Sequence, residues 1–210
     1  MLLNIDGKSL RRSYSICSVP GDLPRIAVCV KKVEGGLASN YLNAQLRKGD
    51  SLEVLEPYGN FSLNYTNADL SDLVLVGAGS GITPLLSMLK SALSHAKNRI
   101  CLIYGSRSRA DILFHYEIEL LQALYPARLR VEYFLSREIH AGCKEGRIST
   151  EGVIQAIRAW AEFKGEEANY YLCGPKPMMD EVESGLKSHR IDSSQIHRES
   201  FVLTVSDQIS

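Results

Sequence analysis

A glycine-rich segment, Gly77-Ala78-Gly79-Ser80-Gly81-Ile82-Thr83-Pro84, carries the clearest chemical signal in the sequence. It follows a short apolar run and precedes a segment with helical periodicity, so it is expected to join a buried strand to a helix. Glycines at such a junction let backbone N–H groups approach a pyrophosphate at the positive end of the helix dipole. The third glycine comes one residue too early for the G-x-G-x-x-G dinucleotide fingerprint. The segment predicts phosphate binding, with a turn that serves only tight packing as the alternative.

A second candidate phosphate site lies nearer the N-terminus, in two short patterns. In Arg12-Ser13-Tyr14-Ser15, taken as a strand, Arg12 and Tyr14 share one face. Arginine suits a phosphate there, and tyrosine offers a flat surface to a ring system. Gly35-Gly36-Leu37-Ala38-Ser39 then places two glycines and a hydroxyl group at the start of a helix. Each pattern is weak alone, but two phosphate sites in adjoining domains support each other.

The segment Cys173-Gly174-Pro175 ends a predicted strand. The carboxyl edge of an open α/β sheet is where such folds bind ligands, so this position is a candidate site. A cysteine at a strand end is more often a small buried hydrophobic residue, and that alternative stays open.

The elements that position these residues change character near residue 67. Up to Leu63, short apolar alternations predict an all-β unit with one inserted helix. The predicted strands are Arg12–Cys17, Ile26–Val33 and Leu52–Glu56, and the predicted helix is Ala38–Leu46. A polar stretch at residues 64–69 predicts the linker, which gives domains of residues 1–66 and 67–210.

After the linker, short continuous apolar runs alternate with amphipathic segments, which is typical of a parallel sheet covered by helices on both faces. Five strands are predicted, at Leu73–Val76, Ile100–Tyr104, Leu129–Phe134, Tyr170–Cys173 and Ile196–Phe201. Four helices are predicted between them, at Pro84–Ala96 with Thr83 as its N-cap, Asp111–Leu124, Ser149–Phe163 and Lys176–His189.

Composition excludes several function classes. The 210 residues include 24 Lys plus Arg and 24 Asp plus Glu, so no basic field for nucleic acid is expected. Five scattered cysteines without a C-x-x-C pair argue against a disulfide framework and a cysteine-bound metal, and they favour the cytoplasm. No stretch approaches the ~18 apolar residues that span a bilayer. Neither H-E-x-x-H nor G-x-S-x-G occurs, so a hydrolase is not expected.

Six motifs in fixed order carry a family resemblance: R-x-Y-S, G-G-x-x-S, G-x-G-S-G-I-T-P, Y-G-x-R, C-G-P and H-x-E-x-F. In this order they resemble the ferredoxin–NADP reductase superfamily, from about residue 3 to residue 201. Within it, the sequence is most similar to the reductase components of phenylacetyl-CoA oxygenases. The fold implied is a truncated antiparallel FAD-binding β-barrel followed by a five-stranded parallel nucleotide-binding α/β domain.

The resemblance implies how FAD is held. Arg12 would bind the pyrophosphate, Tyr14 would lie against the flavin, and the Ser15 hydroxyl would lie near flavin N5. Backbone N–H groups and a hydroxyl for the same pyrophosphate would come from Gly36, Leu37, Ala38 and Ser39. Near the C-terminus, Glu199 and Phe201 would return to the flavin, with Phe201 covering the ring.

The resemblance also implies a nicotinamide dinucleotide site. Its lining would come from Gly79, Gly81 and Thr83, with Cys173 and Gly174 beside the nicotinamide ring. Ser136-Arg137 corresponds to a Ser-Arg pair that binds the 2′-phosphate of NADP in plant-type relatives. Arg107 lies after the second strand with no acidic residue to receive a ribose, so NADPH is favoured over NADH. The alternative is that Arg137 is a solvated loop residue that pairs with Glu138 or Glu132.

The function implied is hydride transfer from NAD(P)H to FAD, after which electrons pass singly to a separate ferredoxin or oxygenase component. Ser15, Cys173 and Glu199 would tune the catalytic geometry, and Glu199 would relay a proton. No metal or iron–sulfur centre is expected in this chain.

One departure from the family keeps an alternative open. Only eleven residues precede Arg12, whereas relatives supply further barrel strands and an F-x-P-G-Q segment there. The alternative is a non-catalytic nucleotide-binding remnant with an exposed barrel edge. Docking on the second domain, a homodimer through that edge, or an upstream segment would compensate for the missing strands.

Overall fold

The computed structural model describes residues 1–19, 24–63, 71–95, 97–161 and 163–201. It opens with a hairpin of strands β1 (Leu2–Ile5) and β2 (Lys8–Arg11), in which Leu3 pairs with Leu10. Asp6 and Gly7 form the turn, both with positive φ, at 51° and 75°. A two-residue turn with this backbone matches the right-handed twist of the strands it joins.

The rest of the first unit is a helix and extended chain around a small core. Helix α1 (Leu37–Ala44) packs over the hairpin. The buried core of this unit consists of Leu3, Ile5, Leu10 and Ala38.

Three strands predicted in this unit, Arg12–Cys17, Ile26–Val33 and Leu52–Glu56, are wrong as continuous strands. Within the described residues they contribute only two isolated bridges, Ile16 to Val28 and Leu2 to Glu53. An alternating sequence becomes a strand only where a neighbouring segment supplies a ladder of hydrogen bonds, and here each contact extends over one pair. The hairpin itself was not predicted.

The second unit is a parallel sheet of six strands in the order β6-β5-β4-β3-β7-β8. Its strands are β3 (Leu73–Ala78), β4 (Ile100–Ser106), β5 (Leu129–Leu135), β6 (Lys144–Glu145), β7 (Asn169–Cys173) and β8 (Ile196–Glu199). Its helices are α2 (Ile82–His95), α3 (His115–Leu124), α4 (Thr150–Arg158) and α5 (Lys176–Ser188). Within the described part of the chain, none of the helices is long and apolar enough to cross a membrane.

The sheet is covered on both faces. One buried cluster joins it to α2 and α3, and a second joins it to α4 and α5. This explains why the central strands β3 and β4 are buried along almost their whole length rather than on alternate residues. The chain starts at the centre with β3, builds outward through β4 and β5, and returns to add β7 on the other side. The switch point therefore lies between β3 and β7, where doubly wound sheets bind ligands.

Three predictions in the second unit need correction. The sheet has six strands rather than five. The additional strand, β6, has only two residues and no apolar pattern that would predict it. Helix α2 begins at Ile82, so Thr83 lies inside it and is not its N-cap. Helix α3 begins at His115 rather than Asp111, because Phe114 adopts a left-handed backbone at φ 58°. The predicted linker and the boundary at residue 66 lie outside the described residues.

Candidate functional site at the carboxyl edge of the sheet

The ends of β3 and β7 meet at the switch point in a backbone contact. A Cβ atom built on Gly81 would lie 2.1 Å from the Cys173 carbonyl oxygen and 2.9 Å from the Gly174 nitrogen. No side chain fits there, so only glycine lets the turn after β3 approach the end of β7. The structure thus brings together two predicted site segments, and it shows that Gly81 is required by packing as well.

The turn at Gly79–Gly81 is a short 3-10 helix that leads into α2. Gly79 has a positive φ of 57°. The Thr83 hydroxyl donates to the Ser80 carbonyl at 2.9 Å, and Thr83 is buried. The first N–H groups of such a turn, at Gly79 and Ser80, have no partner inside it. They are suitable donors for an anion.

Cys173 and Glu199 lie side by side in the ladder between β7 and β8. Cys173 has no exposed surface, and burial together with the Glu199 carboxylate raises the pKa of its thiol to about 12. The thiol is therefore neutral at ordinary pH, and a ring would reach it only after the atoms covering it move. Glu199 is half-buried, and burial raises its pKa as well. Phe201 follows with 45% of its surface exposed.

Arg107 and Ser136-Arg137 are joined where β4 and β5 end. The Arg137 N–H donates to the Arg107 carbonyl at 2.8 Å, and the Ser136 hydroxyl donates to Ser106 at 3.3 Å. Both arginines are exposed, and within the described residues neither guanidinium group has a hydrogen-bond or ion-pair partner. Two adjacent cations without a carboxylate partner are suited to a doubly charged anion.

The segment from Arg12 to Ser15 is extended beside the N-terminus. Arg12 exchanges backbone hydrogen bonds with Met1 at 2.8 and 2.9 Å. Ser13 and Tyr58 share a hydrogen bond of 2.8 Å between their hydroxyl groups. Tyr14 is half-buried, and burial raises the pKa of its phenol. Arg12, Tyr14 and Ser15 are each partly accessible.

The start of helix α1 differs in detail from the prediction. The Gly36 N–H donates to the Val33 carbonyl at 3.0 Å. The Ser39 hydroxyl accepts from the Val33 N–H at 3.1 Å and donates to the Gly36 carbonyl at 3.2 Å. Both groups therefore stabilise the loop, and a phosphate role for either would require these bonds to break. The N–H groups of the first helical residues, Leu37 and Ala38, keep no helical partner and no side-chain cap.

Contacts between the two units place the segment after Ser15 against α2. The Ser87 hydroxyl donates to the Ser18 carbonyl at 2.7 Å, and the Lys90 ammonium donates to the Cys17 carbonyl at 3.4 Å. The predicted flavin segment is thereby fixed to the helix that begins at the glycine turn.

Sequence patterns did not predict three contacts of aromatic residues, although Tyr104 belongs to the Y-G-x-R motif and His197 to H-x-E-x-F. The Phe61 ring packs edge-on against Tyr171 with centroids 5.8 Å apart, and Tyr171 stacks on His197 at 4.7 Å. Tyr104 donates a hydrogen bond to Gly79. No local pattern marks these contacts, since each joins distant parts of the chain.

Comparison with known proteins identifies the family. Residues 75–184 match the oxidoreductase NAD-binding domain, and residues 1–63 match the oxidoreductase FAD-binding domain. The chain belongs to the ferredoxin–NADP reductase superfamily. FAD and a nicotinamide dinucleotide are thereby confirmed as the predicted cofactors.

Relatives within this superfamily include components of oxygenase systems. The chain is 34% identical to a subunit of 1,2-phenylacetyl-CoA epoxidase from Escherichia coli, over 94% of this chain and 56% of that protein. It is 35% identical to the ferredoxin reductase component of 3-ketosteroid-9-alpha-monooxygenase from Rhodococcus rhodochrous, over 92% and 51%. The chain thus spans about half the length of these relatives.

Among solved structures, the Amycolatopsis cytochrome P450 reductase GcoB superposes with a TM-score of 0.82 at 28% identity, over 95% of this chain and 59% of that one. The predicted combination of an antiparallel flavin unit and a parallel nucleotide unit is confirmed by this likeness.

The residues present fit both cofactors. At the glycine turn and at the start of α1, helix-terminal N–H groups without helical partners can bind a pyrophosphate. At the ends of β4 and β5, on the same edge of the sheet as the glycine turn, the exposed Arg107 and Arg137 can supply the positive charge that a further phosphate requires.

Proposed function

We propose that the chain is an FAD- and NAD(P)H-binding reductase module, with domains of residues 1–66 and 67–210, that passes electrons to a separate acceptor. One observation carries the proposal: the glycine turn meets Cys173-Gly174 at the switch point of the sheet, beside a unit of the FAD-binding family.

The bound cofactors would supply the hydride-transfer chemistry themselves, from nicotinamide C4 to flavin N5. The chain binds and orients them. Arg12 and the first N–H groups of α1 bind the FAD pyrophosphate, and Tyr14 gives the ring a flat, half-buried surface. Ser15 holds a hydroxyl toward the flavin, and Phe201 covers the ring and excludes water.

Cys173 and Glu199 act where β7 and β8 end, at the carboxyl edge of the sheet. Cys173, neutral and buried, provides a close-packed apolar wall at the end of β7. Glu199 keeps its proton to a higher pH than an exposed carboxyl, because burial disfavours its charged form. It can therefore hold a proton and release it as the charge beside it changes.

The nicotinamide cofactor preferred by this site is NADPH. Arg107 and Arg137 lie side by side without carboxylate partners among the described residues, and each charge-assisted contact to a 2′-phosphate contributes ~1.5 kcal/mol or more. Together they favour NADPH over NADH by about a hundredfold in kcat/KM.

Electrons leave for a ferredoxin or oxygenase component. The relatives reported above belong to an epoxidase and a monooxygenase, and one of them is a ferredoxin reductase component, which supports such an acceptor. All five cysteines are free, which supports a reducing compartment such as the cytoplasm.

A second candidate function is nucleotide binding without retained FAD. It is favoured by the small core of the first unit, whose buried cluster in the described chain consists of four apolar residues. Such a core gives the flavin site little support of its own.

The visible spectrum of the purified protein during FAD titration separates the two candidates. The proposal expects one FAD per chain and loss of flavin absorbance on anaerobic addition of NADPH. Protein that binds NADP+ but no FAD would establish the second candidate, and protein that binds neither would end both.

Cofactor choice is tested by paired kcat/KM measurements with NADPH and NADH, using an artificial acceptor at fixed ionic strength because salt screens the phosphate contact. Arg137→Ala should remove much of the NADPH preference and leave NADH turnover nearly unchanged. Arg158→Ala, which removes an exposed cation at the end of α4, controls for net charge. Equal or better kcat/KM with NADH in the wild type would refute the preference.

A further inference from the structure

Tyr104 lies under the glycine turn and contacts it through its hydroxyl. The residue is in β4, opposite Gly77 of β3, and has no exposed surface. Its hydroxyl donates to the Gly79 carbonyl at 2.9 Å and accepts from the Leu113 N–H at 3.2 Å. Burial raises the pKa of the phenol, so the hydroxyl stays a neutral donor.

The bond to Gly79 fixes the direction of the next N–H group. In a trans peptide, the carbonyl of one residue and the N–H of the next point in opposite directions. Because the Gly79 carbonyl is held toward the core by Tyr104, the Ser80 N–H is directed away from the core. The Thr83 hydroxyl holds the following carbonyl, that of Ser80, in the same manner. Two buried hydroxyl groups therefore hold the orientation of this turn, together with the Ile82 N–H, which donates to the same two carbonyls.

The second hydrogen bond of Tyr104 reaches another loop at the same edge. Leu113 precedes Phe114, whose positive φ of 58° is uncommon for a residue other than glycine. Such a conformation persists where the surroundings determine it. The Tyr104 hydroxyl thus joins the glycine turn to the connection that leads into α3.

The neighbouring strand holds a natural comparison. Tyr133 of β5 lies directly opposite Tyr104, is also buried, and has its ring centroid 6.3 Å away. Its hydroxyl has no hydrogen-bond partner among the described residues. The Glu119 carboxylate lies close enough to add to burial in raising the pKa of this phenol. Of these two adjacent buried tyrosines, Tyr104 is the one bonded to the turn.

We propose that Tyr104 is a positioning residue for the nicotinamide dinucleotide, because its hydroxyl holds the Gly79 carbonyl inward and so directs the Ser80 N–H toward the pyrophosphate. The inference rests on the proposed function of the turn and extends it to a residue that does not itself contact the nucleotide.

The test compares Tyr104→Phe with the matched control Tyr133→Phe. Each removes one buried hydroxyl and keeps the ring. NADP+ and NAD+ are titrated calorimetrically, and the backbone 15N shifts of Gly79 and Ser80 are recorded without nucleotide. Tyr104→Phe should weaken both nucleotides about five- to tenfold, raise KM more than it changes kcat, and shift both resonances. Tyr133→Phe should leave affinity unchanged.

Thr83 provides a second pair of variants that does not depend on the folding of Tyr104→Phe. Thr83→Val should weaken NADP+ by a similar factor, and Thr83→Ser, which keeps the hydroxyl, should restore it. Unchanged affinity in Tyr104→Phe, with the wild type binding normally, would overturn this inference alone. Wild-type protein that binds neither nucleotide would overturn the proposed nucleotide site and the role of Tyr104 with it.

Discussion

Replacing Gly81 by alanine places a methyl group against the backbone of β7. The new Cβ would lie 2.1 Å from the Cys173 carbonyl oxygen and 2.5 Å from its carbon. These atoms belong to the central sheet and cannot rotate away as a side chain would. To reach an ordinary contact of 3.4 Å, the turn and the strand must separate by about 1.3 Å.

That displacement costs both stability and affinity. Overpacking against rigid atoms destabilises by ~1–3 kcal/mol and sometimes more, and we expect the upper end here because the contact is with backbone. The same movement displaces the N–H groups of Gly79 and Ser80. Each hydrogen bond to a charged group contributes ~1.5–3 kcal/mol, so displacing these two donors should weaken NADP+ binding at least tenfold.

Urea unfolding measures the first effect and calorimetric titration with NADP+ the second. Trp160, the only tryptophan in the chain, lies just beyond the end of α4 and reports on the nucleotide unit. Gly105→Ala is the matched control, because its Cβ would meet the end of the Ile148 side chain at 3.1 Å. That side chain can move, so the control should lose ~1 kcal/mol or less. If Gly81→Ala and Gly105→Ala had the same urea midpoint and the same affinity for NADP+, the backbone contact would not constrain the turn.

Three other substitutions test the residues proposed to lie beside the flavin and the nicotinamide. Arg12→Ala should weaken FAD binding about ten- to a hundredfold, because a charge-assisted hydrogen bond is lost. Flavin fluorescence measures the affinity, and Lys8→Ala, which removes an exposed cation, is the control. If the two variants bound FAD equally well, Arg12 would not belong to the site. Cys173→Ala should lower the rate of flavin reduction, measured by stopped flow, more than it raises the dissociation constant of the nucleotide. If the rate were unchanged and only the stability were lower, Cys173 would be a packing residue. Glu199→Gln should raise the unfolding midpoint at pH 7. Because burial raises the folded-state pKa, the wild-type carboxylate costs stability above its ordinary pKa, and stability is regained as pH falls through the folded-state value. The difference between the two proteins should therefore vanish at low pH, and a midpoint lowered at pH 7 would contradict the reasoning.

The first unit was the less predictable part of the fold. The pair Asp6-Gly7 is a strong hairpin signal, yet the hairpin that it forms was not predicted. The alternation at Arg12–Cys17 predicts a strand, although the described chain supplies it with one bridging pair. Local alternation shows that a segment can be extended, but pairing depends on what lies beside it.

Sequence by itself determined five of the six strands of the nucleotide unit to within a few residues. Apolar runs, such as Leu73 to Val76, are long enough to mark strands covered on both faces, and the helical segments between them fix a parallel sheet. The two proposed phosphate-binding segments also come from the sequence, because the glycine turn and the start of α1 are each continuous in the chain.

Tertiary structure alone decided how those residues meet. The strand order brings Gly81 against Cys173, and it brings Arg107 beside Arg137. It also decided that the Tyr104 hydroxyl reaches Gly79, whereas that of Tyr133 reaches no hydrogen-bond partner in the described residues. The physical reason is that propensity and periodicity act over neighbouring residues, while these contacts join segments whose proximity depends on the order in which strands add to the sheet.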